Sequence, residues 1–214
     1  MIRKFFTGLV AVALVFVIPA LLIEPQALLS SKLWAMMGAG MLASLTQPAY
    51  SPLDHDAPPE DRGTAKQLVW TVYLTLLFGV VECLLLRYPR SMDWNTLALS
   101  AYLVAIAGAL LRAWAVASLG RFFTWHVRVQ LDQQVVSSGP YRLLRHPSYT
   151  GAWLLYVGML IAMHAPIAAV LAGVLLLAAF VRRIRYEESL MLQAFGAEYV
   201  TYSLRVKRLV PLVW

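Results

Sequence analysis

The feature that most constrains this chain is a series of apolar stretches too long for an ordinary water-soluble core. Phe5 to Ile23 carries no charged residue. At ~1.5 Å per helical residue it reaches roughly 28 Å, close to the ~30 Å hydrocarbon thickness of a bilayer. Leu68 to Leu86 and Leu97 to Leu119 are two more such runs, interrupted only by Glu82 and Arg112. A shorter run, Leu33 to Leu45, is rich in small residues (Ala35, Gly38, Ala39, Gly40, Ala43), which let a neighbouring helix come close. Toward the C-terminus two apolar arms, Ser148 to Met163 and Pro166 to Val181, are separated by His164-Ala165 and predict a helical hairpin. The expected fold is therefore an all-α polytopic transmembrane bundle of five to six helices, six when each run is counted as a span.

Composition agrees. Apolar residues make up 60% of the 214 and charged residues 14%, against roughly 45–50% and about 25% in soluble domains. The net charge of +7 does not point to nucleic acid, because the basic residues sit at the ends of the apolar runs. With the N-terminus in the cytoplasm, fourteen Lys and Arg residues fall on the cytoplasmic side and Lys32, Arg87 and Arg90 on the other. That asymmetry sets the orientation and places both termini in the cytoplasm. Arg3 and Lys4 before the first run resemble the start of a signal peptide, but the run exceeds the ~7–15 residues of a signal core, so an uncleaved membrane helix is expected. The lone cysteine, Cys83, excludes an intrachain disulfide and any CxxC metal motif. Gln47 to Lys66, with four prolines, reads as an exposed loop. Its His55, beside Asp54, Asp56, Glu60 and Asp61, reads as a solvated cluster rather than a metal site, and no metal is expected.

Two polar segments flank the hairpin. One is SGPYRLLRHPSYTG, residues 138 to 151; the other runs from Arg182 through Glu187 and Glu188 to Tyr199. A hairpin returns the chain to the side it left, so both segments should meet at one membrane surface. Pro147 suits the first turn of a helix, whose free N–H groups favour an anion. Arg183 and Glu187, four apart, share a helix face, while Glu188 is rotated by about 100°. A guanidinium there can hold a carboxylate by two bonds. Glu82 and Arg112 lie within apolar runs, where ionisable groups are candidates for function by default.

The RHPSYTG element, the hydrophobic hairpin, then EE and FGAEYVTY, resemble in that order the isoprenylcysteine carboxyl methyltransferase family and its phospholipid-methyltransferase relatives. The resemblance spans Leu119 to Trp214 and divides one structural domain into N-terminal helices (1–118) and a methyltransferase-like region (119–214). It implies a cytoplasmic pocket for S-adenosylmethionine. The implied cofactor contacts are His146, Pro147, Tyr149, Gly151 and Glu188, with Gly139 and Tyr141 less directly matched. Arg183 and Glu187 are the implied catalytic pair, and Arg112 is read as part of the substrate pocket's floor. The chain departs from the pattern at Lys207, where the family commonly has proline, which weakens the expectation of contacts from the tail.

The expected activity is methylation of a lipophilic acceptor drawn from membrane lipid, foremost the carboxylate of a prenylcysteine-like molecule. Three rivals share parts of the pattern: an amino-lipid (phosphatidylethanolamine-type) N-methyltransferase, an NADPH-dependent sterol-reductase-like enzyme, and a non-catalytic protein of the same fold.

Overall fold

The computed structural model describes residues 2–50 and 58–210. Asp54, His55 and Asp56 lie outside the described residues. Six helical stretches follow one another: α1 (Ile2–Ile23), α2 (Ser31–Leu45), α3 (Thr64–Leu86), α4 (Thr96–Leu119), α5 (Pro147–Ala162) and α6 (Pro166–Arg205). Four of them, α1, α3, α4 and α6, are long and apolar enough to cross a membrane. Helices α2 and α5 are shorter, 15 and 16 residues, or about 23 Å at 1.5 Å per residue. The protein is an integral membrane protein.

Proline and side-chain caps set several boundaries. In α1, residues Ala13–Val17 form a π turn, with the Ile18 N–H donating to the Ala13 carbonyl. Pro19 follows at once and has no N–H to offer the helix ladder. Asn95 caps α4, its side chain accepting from the Ala98 N–H at 2.8 Å. Pro147 and Pro166 begin α5 and α6. His164, in the left-handed region (φ 56°), makes the turn between them.

Helix α6 runs on past the hairpin arm. Its apolar part ends at Val181, and the helix continues from Arg182 as a charged stretch. It breaks direction at Gly196 (φ 48°, ψ −122°), a conformation glycine adopts without a Cβ penalty.

Helices α4 and α5 form the most intimate pair. A Cβ on Gly108 would stand 2.6 Å from the Gly151 carbonyl oxygen; one on Gly151 would stand 2.6 Å from the Gly108 oxygen and 2.7 Å from the Arg112 nitrogen. Backbones touch there because neither residue has a side chain. Lipid offers little hydrophobic drive for helix association, so close packing of this kind has to supply much of it.

Glu82 serves the structure. Its carboxylate is buried and accepts the Ile167 and Ala168 N–H groups at 3.2 and 2.8 Å, so α3 caps the start of α6. Lys32 does the reverse at the same hairpin turn, on the other arm. Its buried ammonium donates to the carbonyls of Ala162 and Ser91 at 3.1 and 3.0 Å, closing the end of α5. Arg112 has no contact with Glu82; each has its own partners.

Candidate active site

The hairpin brings the two polar segments together as its geometry requires. His146, at the start of α5, stands between the paired glutamates of α6. Its Nδ1 is 3.5 Å from Glu187 Oε2 and its Nε2 is 3.3 Å from Glu188 Oε1. The consecutive glutamates diverge because neighbouring residues on a helix point about 100° apart. Glu187 faces Arg183 and Tyr149; Glu188 faces Arg145 at 3.0 Å and Arg208 at 2.8 Å. The rings of His146, Tyr149 and Phe180 stack in series, with centroids 5.5 and 4.9 Å apart.

These contacts fix the charges. Burial opposes protonation of His146, but the two glutamates beside it outweigh burial and raise its pKa above the ordinary value. Burial likewise disfavours the Glu187 carboxylate; Arg183 and His146 override it and bring the pKa down to about 2. Glu188 is held to about 2 in the same way, against burial, by His146 and Arg208. The cluster therefore contains two carboxylates flanking a histidine, and each carboxylate shifts that histidine toward its protonated form.

Arg183 is the most thoroughly bonded side chain in the site. Nε donates to the Tyr149 hydroxyl at 2.7 Å and to Glu187 at 3.0 Å. Nη1 faces Thr64 Oγ1 at 3.1 Å and Asp61 Oδ1 at 3.4 Å, and Nη2 donates to the Trp125 carbonyl at 2.7 Å. The Tyr149 hydroxyl donates in turn to Glu187.

The loop before α3 is more than the exposed segment its composition predicts. Asp61 is fully buried. It accepts the Ala65 and Val127 N–H groups at 3.1 and 2.9 Å while facing Arg183. A polar side chain can enter the interior when it finds partners, as Asp61 does. Gln47 is also buried and accepts from Arg112 Nη2. Neither was legible in the sequence. The nearest signal was Asp61 placed just before a helix start, in the pattern Asp-x-x-Thr.

The tail also differs from expectation. Despite Lys207, the last described residues run alongside the RHP segment. The Arg145 and His146 N–H groups donate to the Lys207 and Arg208 carbonyls at 2.7 and 3.1 Å, and Thr150 Oγ1 donates to the Leu209 carbonyl at 2.8 Å. The tail offers backbone carbonyls, which are indifferent to the side chain at position 207.

Two cavities meet at this cluster. The first lies between α1, α2 and α3 on one side and α5 on the other and is walled by Val12, Phe16, Gly40, Val72 and Leu76, with Arg112 and Arg183 also lining it. The second is lined by Tyr141, Arg145, His146, Glu187, Tyr199 and Tyr202, among others. Phe123, Thr124, Ser148 and Tyr149 line both. Of the residues singled out from the sequence, His146, Tyr149, Tyr141 and Glu187 face the second cavity and Arg112 and Arg183 the first. Gly139, Pro147, Gly151 and Glu188 line neither. Gly151 is turned against α4, Gly139 packs near Ser118 in the left-handed region (φ 57°), Pro147 starts the helix, and Glu188 ties His146 to the tail. No cluster of metal-ligating side chains occurs among the described residues.

A mainly apolar chamber and a second one that carries more charged side chains share lining residues within the helical bundle, an arrangement that can hold a lipophilic and a polar molecule side by side. The family model for isoprenylcysteine carboxyl methyltransferases matches residues 100–193. A probable protein-S-isoprenylcysteine O-methyltransferase of Oryza sativa subsp. indica is 31% identical over 151 residues, 70% of this chain and 78% of that protein. The chain belongs to the isoprenylcysteine carboxyl methyltransferase family and is a methyltransferase. Protein-S-isoprenylcysteine O-methyltransferase B of Arabidopsis thaliana is similar as well, 37% identical over 110 residues, covering 50% of this chain and 56% of its own. The fold resembles a solved eukaryotic intramembrane Ras methyltransferase, with a TM-score of 0.62 at 20% identity over 99% of this chain and 96% of the other.

Proposed function

We propose that the protein methylates the carboxylate of a prenylcysteine-like acceptor, with S-adenosylmethionine as donor. The observation that carries this reading is the wall formed by Ser148 and Tyr149, which separates an apolar chamber from a polar one beside the Arg183–Glu187 pair. The relatives named above are carboxyl O-methyltransferases, which favours this reading over an amino-lipid N-methyltransferase or an NADPH-dependent reductase.

The polar chamber suits the donor. Aromatic rings of Phe122, Phe123, Tyr141 and Tyr199 line it, the ionised Glu187 can attract a cation, and Arg145 can meet an amino-acid carboxylate. His146, Tyr149 and Tyr141 are the proposed cofactor contacts. Glu188, Pro147, Gly139 and Gly151 act from behind them, by holding His146 and shaping the first turn of α5. When bound, S-adenosylmethionine supplies a sulfonium methyl that a carboxylate oxygen attacks as the carbon–sulfur bond breaks, leaving a methyl ester and S-adenosylhomocysteine. A carboxylate needs no general base, so the protein's task is to align reactants and exclude water. Alignment contributes up to ~7–11 kcal/mol in favourable systems. Arg183 and Glu187 lock Tyr149, and with it the wall across which the reactants face each other. The basic residues around this cluster favour a cytoplasmic position for it and for both termini. A prenyl chain would enter from the bilayer and the donor from the cytosol.

The test is methyl transfer by the purified protein from methyl-labelled S-adenosylmethionine to S-farnesylcysteine or to phosphatidylethanolamine. A base-labile ester label on the first supports the proposal. A base-stable label on the second, or no label on either, overturns it. Glu187→Gln and Arg183→Ala should each abolish turnover in protein that remains folded.

A further inference from the structure

Two guanidinium groups line the apolar chamber, and their electrostatic situations are opposite. Arg183 faces two carboxylates, Asp61 and Glu187, and each of its three nitrogens has a partner in the protein. Arg112 is equally buried, at 6% exposure, yet its acceptors are all neutral. Nη1 donates to the Ser148 carbonyl and hydroxyl at 3.0 and 2.9 Å, and Nη2 donates to the Gln47 amide oxygen. Its Nε is buried without an acceptor. The acidic groups in this part of the bundle pair elsewhere: Asp61 and Glu187 with Arg183, Glu188 with Arg208, Glu82 with Arg87. Among the described residues Arg112 therefore has no counter-ion.

A buried charge with no counter-ion is costly at membrane depth, and a bundle retains one when something else supplies the opposite charge. The ring of Trp125 supplies part, lying 5.8 Å from the Arg112 guanidinium. The remainder has to come from an anion. Arg112 lines the apolar chamber, as do Tyr156 and Ser148, and is not among the residues lining the polar one. An anion reaching it would therefore arrive at the head of a lipophilic molecule.

We propose that Arg112, and not Arg183, receives the acceptor's carboxylate, and that Arg183 is a positioning residue that organises Tyr149 and Glu187. The assignment rests on the reading of the apolar chamber as the acceptor's, and it makes the chamber selective for lipophilic anions over their neutral analogues. Ser148, bonded to Arg112 and lining both chambers, then links acceptor binding to the wall beside the donor.

The experiment compares binding of S-farnesylcysteine as the free acid and as its amide to the full-length protein in nanodiscs, read by tryptophan fluorescence. The wild type should bind the acid at least tenfold more tightly than the amide. Arg112→Gln should lose that preference while still binding S-adenosylmethionine as the wild type does, which also shows that it folds. Arg112→Lys, which keeps the charge, should retain part of the preference. Arg183→Gln should keep the acid preference while losing turnover. A wild type indifferent to the carboxylate, or an Arg112→Gln protein that still discriminates, overturns the proposal. A wild type that prefers the acid through Arg112 but transfers no methyl group would leave this assignment standing and overturn the proposed activity instead.

Discussion

Asp61 Oδ1 and Arg183 Nη1 face each other at 3.4 Å with both side chains almost fully buried, although one comes from a loop before α3 and the other from the C-terminal helix. Asp61 is thus a brace for the guanidinium that holds Tyr149. Removing one member of a buried ion pair typically costs ~3–5 kcal/mol. Asp61→Asn keeps the shape and removes the charge. We expect turnover to fall at least tenfold with donor affinity nearly unchanged, whereas Asp61→Ala should also lower the thermal midpoint in detergent. Undiminished turnover in Asp61→Asn would remove Asp61 from the site.

His146 gives the site a pH signature. Its pKa in the folded protein lies above the ordinary value near 6.5. The stabilisation from its protonated form is therefore complete below about pH 6.5 and is lost as pH rises through the raised value. Glu187 and Glu188 act in the opposite sense, their contribution being present above about pH 4.5 and lost as pH falls toward about 2. Thermal stability followed from pH 6 to 9 should decline in the wild type, and decline less steeply in His146→Gln. Parallel curves would show that the histidine does not hold this charge.

Gly151 tests the packing of α4 on α5. A methyl group there meets backbone atoms at 2.6 and 2.7 Å, which only a shift of one helix relieves. Overpacking of this kind typically costs ~1–3 kcal/mol. Gly151→Ala should lower the melting temperature and, by moving Ser148, reduce turnover. Gly38, where an added Cβ would find nothing within 4 Å, is the control, and its alanine variant should behave as the wild type.

Glu82 tests the cap on α6. Glu82→Gln leaves one oxygen for two N–H groups and should destabilise the protein by about 1–3 kcal/mol, the usual cost of a buried donor left unsatisfied. Its effect on kcat should be small, because Glu82 lies at the end of α6 remote from Glu187. A selective loss of turnover at unchanged stability would give Glu82 a role in chemistry instead.

Much of the fold was legible in the sequence because the bilayer imposes a simple code. Apolar length marked the helices, and the starts of α5 and α6 at Pro147 and Pro166 followed from proline chemistry. The meeting of His146 with Glu187 and Glu188 followed from hairpin geometry. What escaped was set by long-range pairing. Asp61 and Gln47 look like ordinary loop residues until α6 and α4 place arginines opposite them. Gly151 could be singled out by its place in RHPSYTG, but its neighbour Gly108, which explains it, lies in another helix. The tail's backbone contacts escaped for a different reason, since main-chain carbonyls leave no mark on residue identity.

Part of the clamp on each of the two arginines is supplied from upstream of residue 100, where the family model begins its match. A fragment carrying RHPSYTG and the twin glutamates would satisfy a motif search yet present Arg183 without Asp61 and Arg112 without Gln47. Relatives with the same C-terminal signature but unrelated front helices should accordingly differ in what they bind, since the forward half decides how the shared machinery is held and what shape of tail it can admit.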